Sequence, residues 1–354
     1  MKKIFLFNCL LLIFTNVSSQ KTVIDSIFNI VDKEGFSGVI LYAKDSKVKA
    51  YRSSGYKNYE KKIKIKKSDI FELASISKQF TALLIMMCKE KGLLQYDDLV
   101  EKYLKIPYKG MTIRHLLHHT SGLPDYQAIM DQHWDKSKVA SNEDIISYLN
   151  QYIVSPSFLP GEKYEYSNTG YVLLASIVEN VTGQDFVAIC KNWIFEPLGM
   201  KDTKIRTNIE KGLEKRFAYG HMMNESGTYE NANRFHSSDY TVWLGNRKGP
   251  GRISSTARDL LIWDQSLYQN RLVSQSTLEE AYTSGKLNSG ATTNYGFGWV
   301  VTKNSSGQPV IYHTGSNPGY ATIIIRLPSS RETFIMLNNN DHESKGKLTE
   351  VFLK

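Results

Sequence analysis

Cysteine is scarce in this chain, three residues in 354, and proline is limited to nine. Cys9 lies in an N-terminal apolar run, while Cys88 and Cys190 each fall in apolar segments of helical spacing, which reads as two buried thiols and not a disulfide framework. No proline-rich or low-complexity tract separates independent domains, and no internal repeat suggests a solenoid. Gly-x-Ser-x-Gly is missing, which excludes a strand-to-helix nucleophile elbow. The apolar run Ile4 to Phe14 is too short to span a bilayer.

The composition supports a folded protein. Hydrophobic residues make up 41% and charged residues 22%, enough for a sizeable core and close to ordinary globular usage. Lys2 and Lys3, the apolar run and the small residues Val17-Ser18-Ser19 predict a secretory signal over residues 1–19, and hence an exported, periplasmic or secreted protein. Bulky Asn8 before Cys9 argues against lipidation at that cysteine. Cleavage would take Lys2 and Lys3 off a formal net charge of +9, a modest excess that favours an anionic envelope. Export argues against a nucleic-acid partner for the cluster Lys57, Lys61, Lys62, Lys64, Lys66 and Lys67. Ile63 and Ile65 alternate with these lysines, so the segment reads as an edge strand kept soluble by charge.

Periodicity predicts a helix over residues 21–33, then strands over Phe36 to Tyr42 and Lys47 to Ser54. Strands recur near the other end, over Gly298 to Thr302, Val310 to His313, Tyr320 to Leu327 and Glu332 to Leu337. The middle, from Ile76 to about Tyr282, is mainly helical, with Ser141 to Asp144 and Ser276 to Glu279 placed as capping boxes. One α+β domain over residues 20–354, with a helical lobe roughly over residues 95–285, is the simplest architecture.

Ser-x-x-Lys occurs five times, beginning at Ser18, Ser46, Ser54, Ser75 and Ser344. Only Ser75 opens a long helical stretch, with Phe80, Leu83, Leu84 and Met87 at core-facing intervals. Residues three apart in a first turn share a face, so the Ser75 hydroxyl meets the Lys78 ammonium. The free N–H groups of a helix start favour a developing oxyanion. Serine needs a neighbouring base, which is either Lys78, with its pKa depressed by burial, or a second group beside it. Tyr166 of Tyr166-Ser167-Asn168 is that second group, a phenol expected to ionise more easily beside an ammonium, with Asn168 donating to the substrate amide. His313-Thr314-Gly315 closes a predicted strand whose edge aligns an extended acyl substrate, and the N–H groups of Ser316 and Ser75 would form an oxyanion hole.

These three elements, in this order, resemble the class C β-lactamases and their D-alanyl-D-alanine peptidase and esterase relatives. The runs Thr112 to Leu123, Glu196 to Met200 and Ser255 to Leu260 add to the likeness, which extends from about Phe36 to Leu337. The resemblance implies a β-lactamase/transpeptidase-like α+β fold, with an antiparallel sheet built from the N- and C-terminal segments, flanking helices and an inserted helical lobe. It implies an acyl-Ser75 intermediate with no cofactor and no metal, a small-molecule or peptide substrate, association with the cell wall or envelope, and a monomer.

His115, His118 and His119 have ligand-like spacing but no acidic or thiol companion nearby, and are expected to position the loop at Ser121-Gly122. Gly245 to Arg252 lacks the Gly-Lys-Ser/Thr of a phosphate loop and reads as a turn near the rim of the site. His313, where typical lactamases of the family carry lysine, tilts the expectation toward D-amino-acid peptides. Some relatives hold a terminal carboxylate with an arginine after the tryptophan of Gly296-Phe297-Gly298-Trp299, whereas Val300 stands here, leaving Arg326 or Arg252 as substitutes. β-Lactam hydrolysis, ester hydrolysis and a non-catalytic penicillin-binding sensor are the alternatives.

Overall fold

The computed structural model of the chain describes residues 25–29, 35–340 and 344–353. The expected signal segment lies outside the described residues, as does most of the first helix, of which residues 25–29 are helical.

Six strands make the main sheet: β1 (Gly38–Lys44), β2 (Lys47–Ser54), β3 (Val300–Lys303), β4 (Pro309–Asn317), β5 (Tyr320–Leu327) and β6 (Glu332–Asn338). They pair antiparallel in the order β3-β4-β5-β6-β1-β2, so the chain's first strand lies against its last, with Gly38 opposite Asn338 and Lys44 opposite Glu332. Both faces of the sheet are covered, and the two-residue period of a strand sorts the side chains between them. Val39, Leu41, Ile324, Ile335 and Leu337 enter the larger core under the helices. Ile40, Tyr42, Ile323, Ile325, Phe334 and Met336 enter a second core closed by Ile27, Leu348 and Phe352.

The helices that bear on the site are α1 (Lys78–Glu90), α2 (Ile113–Leu117), α3 (Asn142–Gln151), α4 (Asn168–Thr182), α5 (Ala257–Ser266) and α6 (Gln275–Ala281). α1 and α4 pack together and are apolar nearly all round, as expected of helices in the centre of a lobe. Among the described residues, no single helix is long and apolar enough to cross a membrane. The Ser141–Asp144 capping box forms as expected at the start of α3. The second one does not: Ser274 caps α6, accepting from the Thr277 N–H, and Ser276 lies inside the first turn. The acid at this cap comes from across the fold, because Glu90 at the end of α1 accepts from both the Ser274 N–H and the Thr277 hydroxyl.

The lysine-rich stretch forms a two-stranded ribbon, Tyr56–Asn58 against Ile63–Lys64, in which Ile65 is buried and Ile63 stays exposed. Cys88 and Cys190 are free and buried. A small three-stranded sheet places Ile253–Ser255 between Phe71–Glu72 and Lys204–Ile205, and its first strand leads directly into Ser75.

Candidate active site

Ser75 sits in a single 3-10 turn, Ala74–Ser77, that runs into α1. The turn is fixed through its neighbours. The Leu73 N–H donates to the Ile253 carbonyl at 2.8 Å, and the Leu73 carbonyl accepts from the Thr322 hydroxyl of β5 at 2.9 Å. Ala74 takes φ +49°, a left-handed conformation that a non-glycine residue holds only where its surroundings enforce it. Gly315 of β4 passes so close below that a Cβ there would lie 2.2 Å from the Leu73 carbonyl, which brings Ser316 beside the Ser75 turn. β3 pairs with β4 only from Pro309 to Tyr312, so the outer edge from His313 to Asn317 is left open above the serine.

Lys78 is fully buried, with its Nζ 3.2 Å from Ser75 Oγ, 2.8 Å from Asn168 Oδ1 and 3.0 Å from the Pro250 carbonyl. Burial holds its ammonium well below the usual lysine range, and the Arg247 guanidinium lowers it further. Arg247 is itself buried, bonded to the Tyr126 hydroxyl, and its Nε finds no partner among the described residues. Asn168 opens α4, so the lysine joins the starts of two packed helices. With Oδ1 taken by Lys78, the Asn168 amide N–H groups are what remains for a substrate.

Tyr166 borders the cleft, with Lys78 Nζ 4.7 Å from its ring centroid and its hydroxyl on the side of Ser75. The expected easy ionisation is not what the structure supplies. Desolvation in the cleft holds the phenol above its ordinary value although the residue is 39% exposed, and Ser75 only partly offsets this. The Lys78 nitrogen sits over the ring face, and it is itself held toward the neutral form. The glycine-rich Gly245–Arg252 turn is part of the floor and not of the rim: Thr81 Oγ1 donates to the Gly249 carbonyl at 2.8 Å, and Pro250 supplies an acceptor to Lys78.

His313 is buried and engaged at both nitrogens, Nδ1 at 2.6 Å from the Thr314 carbonyl and Nε2 at 2.8 Å from the Tyr295 hydroxyl. A carbonyl only accepts, so Nδ1 carries a proton, and Nε2 pairs with the Tyr295 hydroxyl. The three clustered histidines hold parts of the site in place instead of the Ser121-Gly122 loop. His115 completes a capping box with Thr112 at the start of α2, His118 Nδ1 bonds the Tyr295 carbonyl at 2.9 Å, and His119 Nδ1 accepts from the Ser167 N–H at 3.0 Å. Among the described residues no group of three or more His, Cys, Asp or Glu side chains is gathered for a metal ion.

Neither substitute arginine reaches the cleft. Arg326 is bonded to Asp264 and the Tyr282 hydroxyl in the interior, and Arg252 is bonded to Asn208 and the Thr241 carbonyl and sits 3.5 Å from Glu72. The cleft measures about 290 Å³ and is lined by Ser75, Tyr164, Tyr166, Tyr295, Val300, His313, Thr314 and Ser316. A larger cavity of about 600 Å³, lined by residues between Val187 and Glu210, includes neither Ser75 nor Lys78 nor Tyr166.

A serine opening a buried helix, a desolvated lysine one turn on, a tyrosine against the serine hydroxyl and an open strand edge define an active-site-serine hydrolase of the penicillin-binding type. The Beta-lactamase family model matches residues 24–351, and the chain belongs to that family. It is 39% identical over 317 residues to Penicillin-binding protein 4* of Bacillus subtilis, covering 89% of this chain and 70% of that one. Among solved structures, the octameric penicillin-binding protein homologue from Pyrococcus abyssi superposes with a TM-score of 0.78 at 27% identity, over 93% of this chain and 75% of that one. D-amino acid amidase from Ochrobactrum anthropi, complexed with L-phenylalanine amide, gives 0.76 at 25% identity, over 94% and 97%.

Proposed function

We propose that the protein is an exported hydrolase that cleaves amide or ester bonds of D-amino-acid peptides or peptidoglycan-like substrates through an acyl-Ser75 intermediate. The observation that carries the reading is the set of acceptors around Lys78. The Asn168 and Pro250 oxygens can only accept, so a neutral amine donates to both and turns its lone pair toward the Ser75 O–H. Lys78 then takes the serine proton as Oγ bonds to the substrate carbonyl carbon, and the N–H groups of Ser75 and Ser316 receive the oxyanion. Collapse breaks the bond to the leaving group, which takes a proton from the Tyr166 hydroxyl, refilled from the Lys78 ammonium. Water attacks the ester by the same proton path, releasing the acid and restoring Ser75.

The D-amino acid amidase likeness and the penicillin-binding relatives support the substrate class. The leader-like composition of residues 1–19 supports export and contact with the cell wall. A monomer is part of the proposal, and the Pyrococcus relative is described as octameric. Mass spectrometry after exposure to a penicillin or a fluorophosphonate should place one adduct on Ser75, and a protein that stays unlabelled sinks the reading. Assays with nitrocefin, an acetyl ester, a D-Ala-D-Ala peptide and a D-amino-acid amide then rank the substrates. A sensor would acylate once and stop.

A further inference from the structure

The segment from His119 to Gly122 runs beside the loop that delivers Tyr166. Ser157 N–H donates to the Gly122 carbonyl at 2.9 Å, Gly161 N–H to Thr120 at 2.8 Å and Glu165 N–H to His119 at 2.9 Å. The next bond is made by a side chain, Ser167 N–H to His119 Nδ1. His119 therefore grips the backbone amide on each side of Tyr166, once through its carbonyl and once through its ring. The ring also lies against the tyrosine, with centroids 4.3 Å apart.

Because Nδ1 accepts a backbone N–H, the proton of the neutral ring sits on Nε2. That N–H has no hydrogen-bond partner among the described residues, and the ring packs against those of Tyr171 and Tyr295, with centroids 5.0 and 4.5 Å apart. An unbonded buried N–H is costly and rare. His119 also holds φ +58°, a left-handed conformation that costs any side-chain-bearing residue more than glycine. An apolar residue would relieve the first cost and glycine the second, so a histidine retained against both points to its Nδ1.

We infer that His119 is a positioning residue for Tyr166: its carbonyl and Nδ1 fix the two flanking amides and its ring seats the phenol against Ser75 Oγ. This rests on the acyl-Ser75 reading above. It requires a neutral imidazole, since a proton on Nδ1 would set donor against donor at Ser167.

The test uses the full chain and the second-order rate of Ser75 labelling by a fluorophosphonate, followed in four variants. His119→Ala should slow labelling about 10- to 100-fold. His119→Asn, whose Oδ1 falls near the place of Nδ1 and which tolerates positive φ, should recover most of that loss. In a Tyr166→Phe background the His119→Ala change should add almost nothing, because the group it positions is gone. Losses that multiply in the double variant overturn the inference, as does an Asn variant that melts like the native protein but labels like the Ala variant. Absence of labelling in the unmodified protein overturns the acyl-Ser75 reading and the positioning role together, whereas normal native labelling with multiplying losses overturns the positioning role alone.

Discussion

Gly249 lies so close to Tyr171 that a methyl group on its α-carbon would sit 2.1 Å from the Tyr171 carbonyl oxygen, and its φ of +105° is itself one that glycine alone holds without strain. The next residue is Pro250, whose carbonyl orients Lys78. Gly249→Ala must therefore shift the floor of the site. We expect acylation of the folded variant to fall about 100-fold. Native labelling kinetics in that variant would remove Pro250 from the orientation of the lysine.

Tyr166→Phe keeps the ring against His119 and removes only the hydroxyl beside Ser75. Loss of one proton-transfer group should slow acylation by roughly 100-fold or more while leaving KM nearly unchanged. Stopped-flow hydrolysis of an ester substrate separates the two terms. An unchanged acylation rate would leave proton transfer to Lys78 alone.

On the proposed mechanism Lys78 acts as the neutral amine, and burial holds its pKa well below the ordinary value of 10.5. Acylation is therefore full above the folded pKa and is lost as pH falls through it, giving an acid limb well under the normal lysine range. Arg247→Met removes a nearby positive charge, so the limb should move to higher pH. Lys78→Arg, fixed as a cation, should abolish acylation at every pH. A limb that stays in place in the Arg247 variant would leave burial as the sole cause of the depression.

Arg326 pairs with Asp264, which also accepts from the Thr333 hydroxyl, and both ions are buried. Arg326→Met leaves a carboxylate without its cation inside the protein, a loss of about 3–5 kcal/mol in stability. Urea unfolding should report it, with labelling of the folded fraction at native rate. A selective loss of affinity for substrates ending in a carboxylate would instead put the arginine back in the cleft.

What the sequence disclosed divides along the reach of its signals. Ser75 and Lys78 were legible because a helical turn fixes a three-residue spacing, and the sheet was legible because strand alternation and its turns are local. Asn168, His313 and Ser316 were found by their motifs, and the fold brings them to Ser75. Pro250 was not, because a carbonyl acceptor carries no side-chain signature. The grip of His119 on Ser167 joins segments nearly fifty residues apart. Tyr295 had no motif of its own, and only His313 in place marks it. The direction of the Tyr166 shift depends on how far the fold removes water from the phenol, which a motif pairing it with the Lys78 ammonium does not reveal. The cap of α6 went to Ser274 because Glu90, from another helix, supplied its acid.

β1 lies between β2 and β6, and Gly38 meets Asn338 from the far end of the chain. Such pairing closes late, since the ends must find each other before the sheet is complete. The strand edge proposed to align a substrate, in β4, is joined to β1 through β5 and β6. A chain still being made thus holds Ser75 before β4 has a completed sheet behind it, and the site is whole only once the last strand docks beside the first.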